Sequence, residues 1–393
     1  MKPRTRAAHP PRIELRPDNR PLVPPVYQSV KFELETLADT EGVWRQEEPG
    51  YSYSRGGNPS THALELEIAD MQGTETAVVV GSGMAAVASA LLGLLASGDH
   101  VIVFAECYVP TRNFLRTVLA RYGVTHTLLS IDDHQGLEKA LAGQPTKLVW
   151  LESPTNPMLK IADLAFITGA ARRHGALTVL DNTFAGVHSH LDCGVDVYVH
   201  SLTKYAGGHG DVMGGAIAGP VSLIDSVRRD VNMLGPVLDP HAAFLISRGM
   251  KTYYVRRAAA VATATTLAQQ LATHPTVRRV HYPGLVDHPG HARGLKQMAD
   301  SGTVLTIDLV GGPEGVRAFT DALQLFAVTA SLGSTESLLV PPQLMGNMSL
   351  NSEMLKASGF TPTSIRLSIG LEDPEDLYAD LCQALEHAAA LAS

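Results

Sequence analysis

Seven short apolar runs punctuate the chain between Tyr51 and about Pro240, at Ala77–Val80, Val101–Phe104, Thr125–Leu129, Leu148–Leu151, Thr178–Leu180, Val195–Val199 and Met213–Ala218. Amphipathic stretches separate most of them, for example Thr111–Tyr122 and Leu164–His174. Strands that are apolar along their length are buried on both faces, and strands alternating with helices pack as a parallel sheet covered on each side. The expected fold is α/β, and ligands in such sheets sit outside the carboxyl ends of the strands. One segment imitates a membrane span, because Thr76 to Gly98 carries no charged residue. It opens with a β-branched run, breaks at Gly81-Ser82-Gly83 and continues in small residues with leucine. A strand, a tight loop and a buried helix account for that pattern better than a span.

At 393 residues the chain is too long for one simple core and suits more than one domain. Residues 1–50, rich in Pro, Arg and Glu, read as an extended arm that needs another surface to lie on. Residues 51–240 hold the alternating pattern of a large domain, and 241–393 read as a smaller α+β domain. There His241–His274 reads as one or two long helices with Arg248, Lys251, Arg256 and Arg257 on polar positions. Strands at Val304–Leu309 and Ser364–Ile369 and helices at Gly315–Leu323 and Pro374–Leu391 follow. A net charge of −8 without a dense basic block argues against nucleic acid as a partner. Three cysteines without paired spacing fit a reducing cytoplasm, and the basic N-terminus lacks the apolar core of a signal peptide.

The chemistry concentrates between Ala176 and Ala216. One apolar run ends in Asp181, and another leads into Ser201-Leu202-Thr203-Lys204 and a glycine-rich segment. A lysine desolvated at a strand end can lose its proton and attack a carbonyl carbon. A carboxylate at the neighbouring edge can keep a pyridinium nitrogen protonated, and hydroxyls with glycine N–H groups suit a phosphate. The ligand these features suggest is pyridoxal 5′-phosphate. The bland alternative is a surface lysine after a strand and an aspartate in a turn. A second alternative is a dinucleotide site, since Gly81-Ser82-Gly83-Met84-Ala85-Ala86 follows a strand, and Glu106 stands where a ribose-binding acid would. That reading gives Lys204 and Asp181 no role, whereas the pyridoxal phosphate reading uses all three features. Tyr53 and Arg55 in a glycine-rich turn form a further phosphate clamp. Tyr108 offers a ring for stacking, Asn156 follows another strand, and Arg366 is a lone arginine in an alternating strand. The histidine-rich segment His188-Ser189-His190-Leu191-Asp192-Cys193, with His200, His209 and Asp211, lacks zinc-type spacing.

Taken in order, YSYSRGGNPS, GSGMAA, Tyr108, ESPTNP, DNTF, SLTKY, SLGSTESL and RLSIGLE resemble the Cys/Met-metabolism (trans-sulfuration) family of pyridoxal phosphate enzymes. Its members include cystathionine γ-synthase, cystathionine β- and γ-lyases and methionine γ-lyase. The resemblance implies the type I, aspartate-aminotransferase-like fold with a mostly parallel seven-stranded sheet. It also implies a homotetramer of tight dimers whose active sites are shared between subunits. Carried across, Lys204 is the Schiff-base lysine, Asp181 the pyridinium partner with Thr183 beside it, and Tyr108 the stacking phenol. Ser82, Gly83, Met84, Ser201 and Thr203 hold the phosphate, with Tyr53 and Arg55 from the neighbouring subunit. Asn156 lies near the ring oxygen, and Ser331 and Arg366 take the substrate carboxylate.

The substrate end departs from the family's patterns. Asn113 stands where relatives that read a distal carboxylate carry arginine and some β-lyases carry an acid, with Arg112 next door. Pro110 replaces the cysteine of methionine γ-lyases, and Ala330 the glutamate of cystathionine γ-enzymes. The expectation is a carbon–heteroatom lyase with γ-elimination ahead of β-elimination, acting on a small γ-substituted amino acid in preference to cystathionine. Replacement chemistry of the synthase or sulfhydrylase kind is the nearest alternative. A nicotinamide-dependent oxidoreductase and a non-catalytic pyridoxal phosphate-binding protein are the distant ones.

Overall fold

The computed structural model describes residues 21–45, 47–187, 190, 193–345 and 350–392. The seven apolar runs form one sheet of β1 (Thr76–Val80), β2 (His100–Phe104), β3 (Thr125–Leu129), β4 (Leu148–Glu152), β5 (Leu177–Asp181), β6 (Val197–Ser201) and β7 (Gly215–Gly219). Their order across the sheet is β1-β7-β6-β5-β4-β2-β3. Strands β7 and β1 pair antiparallel, as do β6 and β7, while every other neighbouring pair is parallel. The sheet is mostly parallel, as expected, and β7 is the exception for a simple reason. Ser201 and Gly215 stand opposite each other, so the chain turns back through the glycine-rich segment without a crossover helix.

The strands are buried along their length, with Trp150, Phe104 and Ile102 almost wholly enclosed. Each such side chain contributes about 1.5–3 kcal/mol relative to exposure. The uncharged stretch from Thr76 resolves into β1, a short loop and the helix Gly83–Leu94. Its small residues let it approach the helix Val221–Leu234, since a Cβ at Gly93 would lie 2.8 Å from the Cα of Val227. Among the described residues no helix is long and apolar enough to cross a membrane.

A second sheet, ordered β10-β11-β12-β9-β8, combines β8 (Val277–His281), β9 (Val304–Leu309), β10 (Ala327–Val328), β11 (Leu338–Val340) and β12 (Ser364–Ser368). The helices Tyr253–Leu271, Gly312–Ala322 and Pro374–Ala392 enclose its core of Leu267, Phe319, Leu367 and Leu381. The two sheets are tied together by hydrogen bonds. Thr306 Oγ1 donates to the Pro157 carbonyl at 2.6 Å, and Gln297 donates to Ala162 at 2.8 Å while accepting from Leu164 N–H at 3.1 Å.

The stretch 241–274 divides into two helices, Pro240–Met250 and Tyr253–Leu271, as one of the expected arrangements has it. Three details differ from the sequence reading. Arg257 there is buried, not on a solvated face, because it shares the inward stripe of Ala260, Ala264 and Leu267. Its charge is matched by Asp300 at 2.6 Å. Thr111–Tyr122 winds unevenly, through an α-helical Val109–Asn113, a π-helical Phe114–Val118 and a 3₁₀ turn Leu119–Tyr122. Buried Leu115 and Leu119 satisfy the amphipathic pattern under either winding. Among its described residues the arm contains one short helix, Leu37–Trp44, started by a reciprocal capping box between Thr36 and Asp39.

Gly215 fixes how the sheet meets its loops. A Cβ there would sit 2.2 Å from the Ser82 carbonyl oxygen and 2.9 Å from Ala86 Cβ. Gly215→Ala is therefore expected to lower the unfolding midpoint through an overpacking cost of about 1–3 kcal/mol. Thermal or denaturant unfolding followed by circular dichroism measures it, and an unchanged midpoint would contradict the packing described.

Candidate active site

Strand register brings the site together. Val80 and Ser201 both stand opposite Gly215, so the loop after β1 and the end of β6 flank the start of β7. Gly83 opens the helix after β1, and a Cβ there would meet Ser201 Cβ at 2.7 Å and its Oγ at 2.8 Å. The first N–H groups of a helix lack intrahelical partners. Here Ala85 N–H goes to the Ser82 hydroxyl at 3.1 Å and Ala86 N–H to the Ser82 carbonyl at 3.0 Å. The Gly83 and Met84 amides remain to face an anion at the positive end of the helix, beside the Ser201 hydroxyl. Thr203 is held by its own turn, accepting from Gly214 N–H at 3.1 Å.

Asp181 ends β5 and is buried. Thr183 donates to its Oδ1 through both the hydroxyl (2.6 Å) and the amide (3.1 Å). The same Thr183 hydroxyl accepts from Ser201 N–H at 2.9 Å, which locks the edges of β5 and β6 together. Burial pushes the Asp181 carboxyl up and the Thr183 hydrogen bonds pull it back. A cationic ring nitrogen at this carboxylate would supply the missing compensation.

Lys204 lies after β6, and its Nζ donates to Ser331 Oγ at 2.8 Å. Burial, aided by the charge of Arg366, lowers its ammonium pKa to about 8. Ser331 adopts φ of +143°, a region that residues other than glycine rarely enter and that costs about 1–3 kcal/mol. In that conformation its carbonyl accepts from Arg366 Nη2 at 2.7 Å while its hydroxyl holds Lys204. Arg366, on β12, is buried, donates Nη1 to Asn156 Oδ1 at 2.9 Å and lies 5.7 Å from the Phe184 ring centroid. Its Nε has no hydrogen-bond partner among the described residues, and burial lowers its pKa to about 10. A buried, incompletely satisfied guanidinium calls for an anion.

The sequence reading gave no role to Glu152, which the structure puts at the centre. It stands directly opposite Asp181 at the last register position of β4 and β5, and it is buried. Its Oε2 accepts from Tyr108 N–H at 2.8 Å, whereas Oε1 has no partner among the described residues. Burial and the adjacent Asp181 hold its carboxyl well above the usual range. Its position, ending a strand at the same edge as Asp181, is the signal that could have found it. Tyr108 itself is partly exposed, and burial with the two carboxylates raises its phenol pKa.

Other expected residues sit apart. Arg112 is buried and donates Nε to the Cys107 carbonyl at 3.1 Å. Asn113 Oδ1 accepts from Arg116 at 3.1 Å. Tyr53 and Arg55 stack on each other at 5.5 Å, and Arg55 donates to Asn232 at 3.2 Å. Neither has a hydrogen bond or ring contact to Lys204, Ser201 or Gly83 among the described residues. Glu106 is engaged by Ser130, Ile131 N–H and Lys160, at 2.8, 2.9 and 3.0 Å, so it does not stand free as a ribose-binding acid. Among the described residues no group of His, Cys, Asp and Glu is arranged to hold a metal. His200 is bonded to Gln72 at 2.7 Å, and His188 and Asp192 lie outside the described residues.

This edge, with its lysine, carboxylate and anion-binding helix end on a mostly parallel sheet, is that of a type I pyridoxal phosphate enzyme. The model of the Cys/Met metabolism PLP-dependent enzyme family matches residues 5–386, and the chain belongs to that family. It is 39% identical over 372 residues to an L-methionine γ-lyase of Pseudomonas putida, covering 94% of this chain and 93% of that one. A cystathionine γ-synthase of Xanthomonas oryzae pv. oryzae, solved with aminoacrylate and cysteine, superposes with a TM-score of 0.88 at 35% identity over 94% of both chains. A Campylobacter jejuni chain proposed to be an O-acetylhomoserine (thiol)-lyase, solved with N′-pyridoxyl-lysine-5′-monophosphate, gives 0.87 at 32% identity over 93% of this chain and 96% of that one. The protein is thus a pyridoxal phosphate-dependent carbon–heteroatom lyase or transferase of this family.

The Lys204 environment predicts a specific reactivity. Only the unprotonated amine is nucleophilic, so in cofactor-free protein its acylation rate should rise with pH and then level off. The half-maximal rate should fall at about 8 for Lys204 and at about 10.4 for surface lysines. Peptide mass mapping after pulsed acylation separates the two, and a Lys204 profile matching the surface residues would contradict the desolvation described.

Proposed function

We propose that the enzyme eliminates a γ-substituent from a small L-amino acid with an uncharged side chain, consuming one water and releasing the protonated leaving group, a 2-oxo acid and ammonia. The observation that carries this reading is the joint hold of Ser331 on Lys204 and Arg366, which puts a low-pKa amine beside a carboxylate-binding guanidinium. Ser201, Gly83 and Met84, with Thr203 shaping their turn and Ser82 capping the helix, would hold the cofactor phosphate. Asp181, steadied by Thr183, would hold its ring nitrogen protonated, and Tyr108 would lie against the ring. When bound, the cofactor supplies an electron sink for the negative charge that develops at the substrate Cα.

The chain's residues do the rest. Arg366 and Ser331 take the substrate carboxylate, with Asn156 orienting the guanidinium. Lys204, whose lowered pKa of about 8 leaves part of it neutral at physiological pH, takes the Cα proton and then the Cβ proton whose loss must precede γ-elimination. The Tyr108 phenol assists the leaving group. Asn113, engaged by Arg116, and the small Ala330 provide no charge to meet a distal carboxylate or ammonium, which supports a short uncharged substituent. Methionine γ-lyase likeness supports elimination. γ-Replacement and β-elimination, including cystathionine β-lyase activity, are the alternatives, since the synthase likeness is of similar strength.

Two observations support an assembly of paired subunits, a homotetramer with shared sites. Tyr53 and Arg55 engage each other and Asn232 and have no hydrogen bond or ring contact to their own chain's Lys204 among the described residues, and the arm leaves Leu22, Val30, Leu37 and Trp44 exposed. The arm at 1–50, the large domain at 51–240 and the small domain at 241–393 are the proposed division. Free cysteines support a cytoplasmic setting.

Lys204→Ala should lower turnover by about 10²–10⁴-fold or more while preserving the far-ultraviolet circular dichroism of the wild type. With wild-type enzyme and a short γ-substituted amino acid, mass analysis should detect 2-oxobutyrate. Pyruvate from β-substituted substrates alone, or saturation kinetics favouring cystathionine, would overturn the reading. An active Lys204→Ala enzyme would remove the mechanism.

A further inference from the structure

Away from the catalytic lysine, a cavity of about 360 Å³ opens where the two domains meet. That volume lies in the range that accommodates a small metabolite. Met158 and Ile161 line its apolar part, and its ionisable lining is biased toward basic side chains: Lys160, Arg279, His281, His288 and Arg293 against Asp132.

Several of these groups are already engaged. Lys160 is held by Asp132 at 2.7 Å and Glu106 at 3.0 Å, and His281 by Asp308 at 2.8 Å. Arg293 donates to the Ile161 carbonyl at 2.7 Å, with Asp163 at 3.6 Å. Two of the remaining groups keep donors for a ligand. Arg279 has no ion pair among the described residues, and it follows a register shift in the pairing of β8 with β9. Such bulges re-aim a side chain, and this one sets Arg279 on the cavity beside His281. His288 is buried, and its Nδ1 accepts from Gly290 N–H at 3.1 Å, so Nε2 carries the proton and is a donor. A fork of guanidinium donors and an imidazole N–H in a partly apolar cavity match an oxyanion on a small carbon skeleton.

We propose that this interdomain cavity is a binding site for a metabolite-sized oxyanion, a phosphate ester or a dicarboxylate, held by Arg279, His288 and the free donors of Arg293. The site belongs to neither domain alone, because Lys160 also donates to the Ala357 carbonyl at 2.7 Å across the junction. It shares one element with the active centre. The turn that presents Lys160 is cross-bonded to Thr155, whose hydroxyl accepts from Lys160 N–H and whose amide donates to the Lys160 carbonyl, both at 3.0 Å. The next residue is Asn156, the partner of Arg366.

Isothermal titration of the pyridoxal phosphate-loaded enzyme with glycerol phosphate and, separately, with succinate tests this at matched ionic strength. One equivalent per chain should bind in at least one arm, and the arm that binds names the anion class. Arg279→Gln, an exposed substitution, should weaken binding about ten-fold while leaving the unfolding midpoint and the cofactor absorbance unchanged. His288→Gln keeps an acceptor for Gly290 and should weaken binding similarly. Absence of binding in both arms, or equal affinity in Arg279→Gln, would overturn the proposal.

Discussion

The active edge depends on charges buried before any ligand arrives. Lys204 and Arg366 are two desolvated basic groups, the charge of Arg366 disfavouring that of Lys204, and Asp181 and Glu152 are two carboxyls side by side at the ends of β5 and β4. Water would stabilise all four better than the protein does. The strain relaxes in a pattern: Lys204 moves toward the neutral amine, Glu152 toward the neutral acid, while Asp181 is kept available by Thr183 and Arg366 by the Ser331 carbonyl and Asn156. What is left is a nucleophile, an anion and a cation, the set that a flat, protonated, carboxylate-bearing ligand pair would satisfy. The strained backbone of Ser331 belongs to the same arrangement, since one residue must present its hydroxyl and its carbonyl to two different basic groups.

Backbone topology makes this possible through an absence of side chains. Gly215 lets the Ser82 carbonyl lie against β7, and Gly83 lets the helix start touch Ser201. These contacts bring together segments more than a hundred residues apart in sequence. The antiparallel β7 is what turns the chain back immediately after Lys204, so that the lysine stands at the sheet's carboxyl edge.

Much of this was legible in the sequence. All seven strands of the large sheet were visible as apolar runs, because burial on both faces leaves no polar alternation. The strand-end positions of Asp181 and Lys204 followed from those runs. Three things did not. Glu152 carried no visible role, since a glutamate at a strand end reads alike whether it is solvated or buried beside another carboxyl. The buried Arg257 was assigned to a polar face, because its partner Asp300 is distant in sequence. The direction of β7 was hidden, as strand composition does not record polarity. Tyr53 and Arg55 remain separate from the site within one chain, which a sequence motif cannot distinguish from joining it.

The central claim is that Lys204 is the residue to which pyridoxal phosphate attaches. Borohydride reduction of the purified, cofactor-loaded enzyme, followed by peptide mass mapping, tests it most directly. The account predicts a phosphopyridoxyl group on Lys204 and on no other lysine. Its appearance on a different lysine, or cofactor binding with no lysine labelled, would contradict it.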